Sequence, residues 1–156
     1  CRRSYRRYKE AVNMKIYEQI AEWLLECPEI GGCSYFNVIP VDPGNSSVTS
    51  NSSSSIVNTY IDGSKEVHLM FNINLVRDYD NGGTSDLNID AIQEFDKIIS
   101  FIEDKNNKGE FPELGDKYVV NEIGATYKAP EVYVATESPS VARYEGQFYI
   151  EYLERK

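Results

Sequence analysis

The chain has 156 residues and a formal net charge of −9, enough for one ordinary domain that buries a core without disulfides or a structural metal. The acidic balance argues against nucleic acid as the main partner, no apolar run approaches the length of a membrane span, and no signal-peptide pattern is present. Three cysteines, Cys1, Cys27 and Cys33, do not form a disulfide framework, although the last two are spaced for a local pair; they fit a reduced, intracellular origin.

Charge is unevenly spread. Residues 1–13, "CRRSYRRYKEAVN", carry Arg2, Arg3, Arg6, Arg7 and Lys9 against Glu10, a net of +4, which leaves about −13 for the rest. Met14 precedes a clear helical pattern, so residues 1–13 read either as a basic N-terminal arm or as a non-native leader, and residues 14–156 as a single domain. Over 15–26, "KIYEQIAEWLLE", the apolar residues Ile16, Tyr17, Ile20, Ala21, Leu24 and Leu25 recur at helical spacing. Pro28 and Gly31-Gly32 end that helix. "SYFNVIPVD" (34–42) reads as a short strand whose Pro40 places it at an edge or a strand end.

Residues 43–55, "PGNSSVTSNSSSS", are expected to form a long polar loop, because Ser and Asn compete for backbone hydrogen bonds and bury little. The Asn-Ser-Ser triplets at Asn45 and Asn51 match glycosylation acceptors, but without a secretory route they add only polarity. "SIVNTYI" and "EVHLMFNINLVR" flank Asp62-Gly63 and predict a β-hairpin. In its second strand Val67, Leu69, Phe71, Ile73 and Leu75 share the core face, while His68, Met70, Asn72, Asn74 and Val76 form a mixed opposite face. After the loop "DYDNGGTSD" (78–86), residues 87–105 predict a second helix. Its stripe is Ile92, Phe95, Ile99 and Ile102 with Ile98 beside them. Asp86 or Asn88 is placed to cap it, Lys105 and Lys108 suit its C-terminal dipole, and Gly109 then Pro112 close it. Strands follow at 117–128, 131–136 and 142–156. In the last, Tyr144, Gly146, Phe148, Ile150 and Tyr152 alternate with Gln147, Tyr149, Glu151 and Leu153, a regularity expected inside a sheet. The fold class is therefore α+β, with two layers: a mostly antiparallel sheet and two amphipathic helices packed on one face.

Chemistry is sparse. The single histidine, His68, lies mid-strand, where a packed role outweighs a catalytic one, and no nucleophile–base–orienter set has a recognisable spacing. Cys27 and Cys33 with one distant histidine lack a structural zinc pattern. "DYDNGGTSD" starts like a calcium loop through Asp78, Asp80 and Asp86, but Gly82 and Ile89 occupy positions where an EF-hand needs oxygen ligands. No glycine pair has phosphate-loop spacing. No catalytic residue, metal or cofactor is assigned.

The order of segments resembles the tail terminator, or tail-completion, proteins of long-tailed bacteriophages and phage-tail-like particles. The resemblance is carried by "MKIYEQIAEWLLECPEI", by the turn and strand "YIDGSKEVHLMFNINLVRDYD", by "IQEFDKIISFIEDKNNKGEFPEL" with its Pro-x-Leu exit, and by the closing "SPSVARYEGQFYIEYLERK". It spans 14–156, and each motif is a packing pattern rather than a catalytic one; the basic leader and the long Ser/Asn segment depart from it. The resemblance implies a homo-hexameric ring on the head-proximal end of a tail tube, stopping tube growth and meeting sheath or head connector. It also implies residence in a virion or phage-like tail assembled in the bacterial cytoplasm, with no membrane and no specific nucleic-acid binding, DNA passing only through the pore. Tyr and Arg favour such contacts, and the candidate interface residues are Tyr35, Tyr60, Arg77, Asp78, Tyr79 and Arg143. Two other readings stay open: a head-tail joining or other neck protein, and a small enzyme or ligand-binding domain using His68, Cys27 or Cys33.

Overall fold

The computed structural model describes residues 12–30, 34–38, 41–79, 86–127, 130–137 and 140–156. Its elements run α1 (Val12–Leu24), β1 (Ser34–Phe36), β2 (Ser46–Ser50), β3 (Ser55–Thr59), β4 (Lys65–Asp78), α2 (Asp86–Lys108), β5 (Tyr118–Ala125), β6 (Glu131–Glu137) and β7 (Ser140–Glu154). The α+β class is as expected, and the sheet is antiparallel except where β1 joins β2 in parallel.

Two long strands form the spine. β4 and β7 pair without a break from Lys65↔Glu154 to Asp78↔Val141. Each flank is shared by two shorter strands: β2 and β3 lie along β4, and β5 and β6 along β7. Period-two alternation sorts the spine's side chains. Leu69, Phe71, Ile73 and Leu75 stand opposite Ile150, Phe148, Gly146 and Tyr144, and the large members of this set are fully buried. Ile16, Ile20 and Leu24 of α1 and Phe95, Ile98 and Ile102 of α2 join them in one apolar cluster. Gly146 permits the close approach of α2: a Cβ there would come within 2.7 Å of the Phe95 ring.

Several expectations need correction. The segment 43–55 contains β2. Val48 pairs with Ile73 and is fully buried, Ser46 donates to the Ile30 carbonyl, and Ser47 and Thr49 accept from Asn74. Hydroxyls satisfied by a neighbouring strand can enter a sheet that composition alone assigns to a loop. The strand expected over 34–42 stops at Phe36, because Asn37 takes a left-handed backbone (φ 51°). The first helix spans Val12–Leu24, so Val12 and Asn13 belong with the domain, and Leu25 lies past its end, exposed. In α2, Ile92 leaves the expected stripe and is exposed, and Ala91 takes the buried place. The far face of β4 is less open than expected, since Met70, Asn74 and Val76 are buried. The cap at Gly109 is present, with φ +70°; the Asp86 and Asn88 side chains, the basic arm up to residue 11, Cys33, Pro40 and the centre of the 78–86 loop lie outside the described residues.

Candidate assembly surface

The β3–β4 hairpin stands out by what it exposes. All five β3 residues are exposed. Ile56, Val57, Tyr60 and Ile61 show 57%, 55%, 49% and 109% of their surface within six residues, a concentration beyond the scattered apolar residues of an ordinary surface. The tip is nevertheless built firmly. Tyr60 exchanges backbone hydrogen bonds with Ser64 and Gly63, and Gly63 carries the left-handed turn (φ +89°). The Asp62 carboxylate accepts from both the amide and the hydroxyl of Ser64, at 2.9 Å each; these bonds favour the charged form and hold its pKa below the usual 3.8. Behind the tip, Tyr60 and Ile61 face Leu153 and Asn121 across a shallow groove of about 560 Å³.

Charge marks the same segment. Residues 43–61 contain no Asp, Glu, Lys or Arg, in a chain of net −9. The edge of β3 away from β4 also lacks the usual guards against strand addition, proline and lysine, and has only a bulge at Val57. The β5 edge differs. There the Asn106 side chain at the end of α2 takes the Ile123 amide at 3.0 Å, and a second bulge sits at Asn121.

The six expected interface residues do not form one patch. Tyr60 is at the hairpin tip, its hydroxyl 3.3 Å from Glu66, whose charge, with that bond, raises its pKa. Arg77, Asp78 and Tyr79 lie at the other end of β4, about 40 Å away at the rise of a strand. Arg77 is turned inward. Its Nε and Nη2 meet Glu94 at 2.6 Å, and further donors reach the carbonyls of Asn45, Val76 and Glu29. It thus ties β4 to α2, to the turn after α1 and to the start of β2, a role within the subunit. Asp78 is exposed, Tyr79 packs partly on the core, and Arg143 pairs with Val76 in register. Tyr35 lies in β1 opposite Ser47, and its side chain is outside the described residues.

His68 is a packed strand residue. Its Nδ1 is 2.9 Å from Glu151, its Nε2 3.1 Å from the Met70 sulfur, and its ring stacks on Tyr149. Tyr149 donates to Glu122 at 2.6 Å, a bond that with burial pushes the phenol up to about 12. Cys27 is buried at the end of α1, and desolvation raises its thiol to about 11. Among the described residues no three His, Cys, Asp or Glu side chains gather as a metal would require, and no helix is long and apolar enough to cross a membrane. Sequence reading missed Ile56, Val57 and Ile61. The uncharged run 43–61 around them was the available signal; only its first part, 43–55, reads as loop, and 55–61 reads as the first strand of the hairpin. The sequence matches no protein-family model and no curated relative.

Proposed function

We propose that this chain is a structural subunit that closes as a six-membered ring on the head-proximal end of a phage or phage-like tail tube, ending tube growth and presenting a surface to sheath or head connector. The observation that carries this reading is the β3–β4 hairpin, whose first strand and tip expose Ile56, Val57, Tyr60 and Ile61 together in a run without charged residues up to Ile61, as a surface for protein contact would. The order of segments shared with tail terminators supports the assignment to a tail end. The proposed ring uses contacts between unlike surfaces of adjacent copies, which close by rotation. Its acidic subunits discourage DNA in the pore from sticking.

The test is elongation of the cognate tube protein in the presence of the purified chain. Termination predicts that mean tube length falls as the chain is added and that finished tubes no longer grow when fresh tube protein is supplied. Continued growth at saturating amounts contradicts the reading and favours a joining or neck role.

A further inference from the structure

We infer that the acidic groove between α1 and the segment leaving α2 is a docking site for the arginine-rich segment 1–11 of the same chain. This contact does not depend on the ring or on its place on a tail.

The groove has a volume of about 550 Å³, and Glu22, Glu26, Glu110 and Glu113 line it together with Trp23 and Phe111. Trp23 joins its two sides by donating from Nε1 to the Glu110 carbonyl at 3.1 Å, so the groove is formed before anything enters it. The four carboxylates share one cation, Lys105, whose Nζ lies 2.8 Å from Glu26 and 2.6 Å from Glu110. Glu22 and Glu113 are exposed and have no ion-pair partner among the described residues. Glu18 and Glu22 stand four residues apart on α1, a like-charge spacing that opposes the helix unless a cation lies over it. Gln19 lines the same groove, and its side-chain carbonyl has no hydrogen-bond donor among the described residues. Carboxylates, an unpaired amide oxygen and aromatic rings together suit guanidinium groups, which donate several bonds in one plane and stack on aromatic faces.

The chain carries such a ligand beside the groove. Residues 1–11 hold Arg2, Arg3, Arg6, Arg7 and Lys9 against Glu10, a net of +4 in a chain of net −9. Glu22 lies ten residues beyond Val12, about 15 Å along the helix. Arg6 and Arg7 stand five and six residues before Val12, a reach of about 17–20 Å at full extension. They therefore reach Glu22 when the chain doubles back, and Arg2 and Arg3 reach past it to Glu26 and Glu113. A tether this short presents the segment to its own groove at a millimolar effective concentration, far above that of the same segment on another molecule at micromolar protein. The occupant is accordingly the chain's own segment rather than a second copy's.

The experiment is resonance energy transfer within the full chain. Trp23 is the single tryptophan and stands in the groove; a dansyl group on Cys1 is the acceptor, in a Cys33→Ser background where Cys27 is buried. Each labelled chain is measured against its unlabelled form. Transfer is expected at low salt and should persist when the labelled chain is diluted into excess unlabelled chain. It should fall by about half or more as ionic strength rises from about 0.01 M to about 1 M, where the screening length shrinks from about 30 Å to about 3 Å. Glu22→Gln with Glu113→Gln should cause a comparable loss at low salt; both sites are exposed, so the thermal melt should match the wild type's. Asp90→Asn with Asp96→Asn removes the same charge from exposed sites elsewhere and should leave transfer unchanged. Transfer lost on dilution with unlabelled chain gives the groove to a second copy's segment and overturns the inference. Equal losses in the two pairs of variants show only a general attraction between a basic segment and an acidic body, and overturn it too, as does transfer indifferent to salt.

Discussion

The Arg77 guanidinium and the Glu94 carboxylate meet at 2.6 Å, where β4 ends and α2 begins its packing on the sheet. With its side chain only 14% exposed, Arg77 also serves three backbone carbonyls, so its removal strands acceptors as well as a charge. Arg77→Ala is expected to cost about 3 kcal/mol, in the range for breaking a largely buried pair. Arg77→Lys should recover little, because an ammonium cannot span the same fork of partners. Urea denaturation of both variants checks this; an Arg77→Ala midpoint equal to the wild type's would show that the clamp contributes nothing.

Gly146 predicts a steric effect of opposite origin. A methyl group there meets the Phe95 ring at 2.7 Å and the Phe148 ring at 3.0 Å. Gly146→Ala should destabilise by about 1–3 kcal/mol through overpacking. Pairing it with Phe95→Leu should give a smaller loss than the two single changes added together, measurable as a double-mutant cycle.

The hairpin tip has a pH dependence with a defined sign. Bonds from Ser64 lower the Asp62 pKa in the folded chain. The stabilisation is complete above the unfolded carboxyl value and is lost as pH falls through the lower folded value. The Ser64 amide resonance should therefore titrate with a midpoint below 3.8. In Asp62→Ala that transition should vanish. A midpoint at or above 3.8 contradicts the geometry of the turn.

The fold was legible where periodicity was strong. Both helices and the β4 and β7 alternations follow from apolar spacing, because each must bury one face. β2 was not legible: Ser46, Ser47 and Thr49 look like loop residues until Asn74 and the Ile30 carbonyl supply their hydrogen bonds. Those partners lie 16 to 27 residues away in sequence, beyond the reach of a local pattern. For the surface, tyrosine and arginine were weighted above isoleucine. Arg77 then proved to be engaged within the subunit, while Ile61, at 109% exposure, carried the apolar tip. An arginine at a strand end gives no sequence sign of which way its guanidinium turns.

Cys27 should be chemically quiet. Its thiol is raised to about 11, chiefly by burial, so the nucleophilic thiolate is scarce at neutral pH. In a chain with Cys1→Ser and Cys33→Ser, a disulfide reagent should react with Cys27 only at the rate of unfolding. Rapid labelling of the folded chain would place this thiol at the surface and reopen a reactive role for it.

The most direct test of the central claim is electron cryo-microscopy of purified tail particles, with the head-proximal end resolved. The account predicts one closed ring of six copies of this chain on the last ring of the tube, with the exposed β3–β4 hairpin of each copy in a protein contact. Copies spread along the tube, copies at the baseplate, or particles without the chain would contradict it.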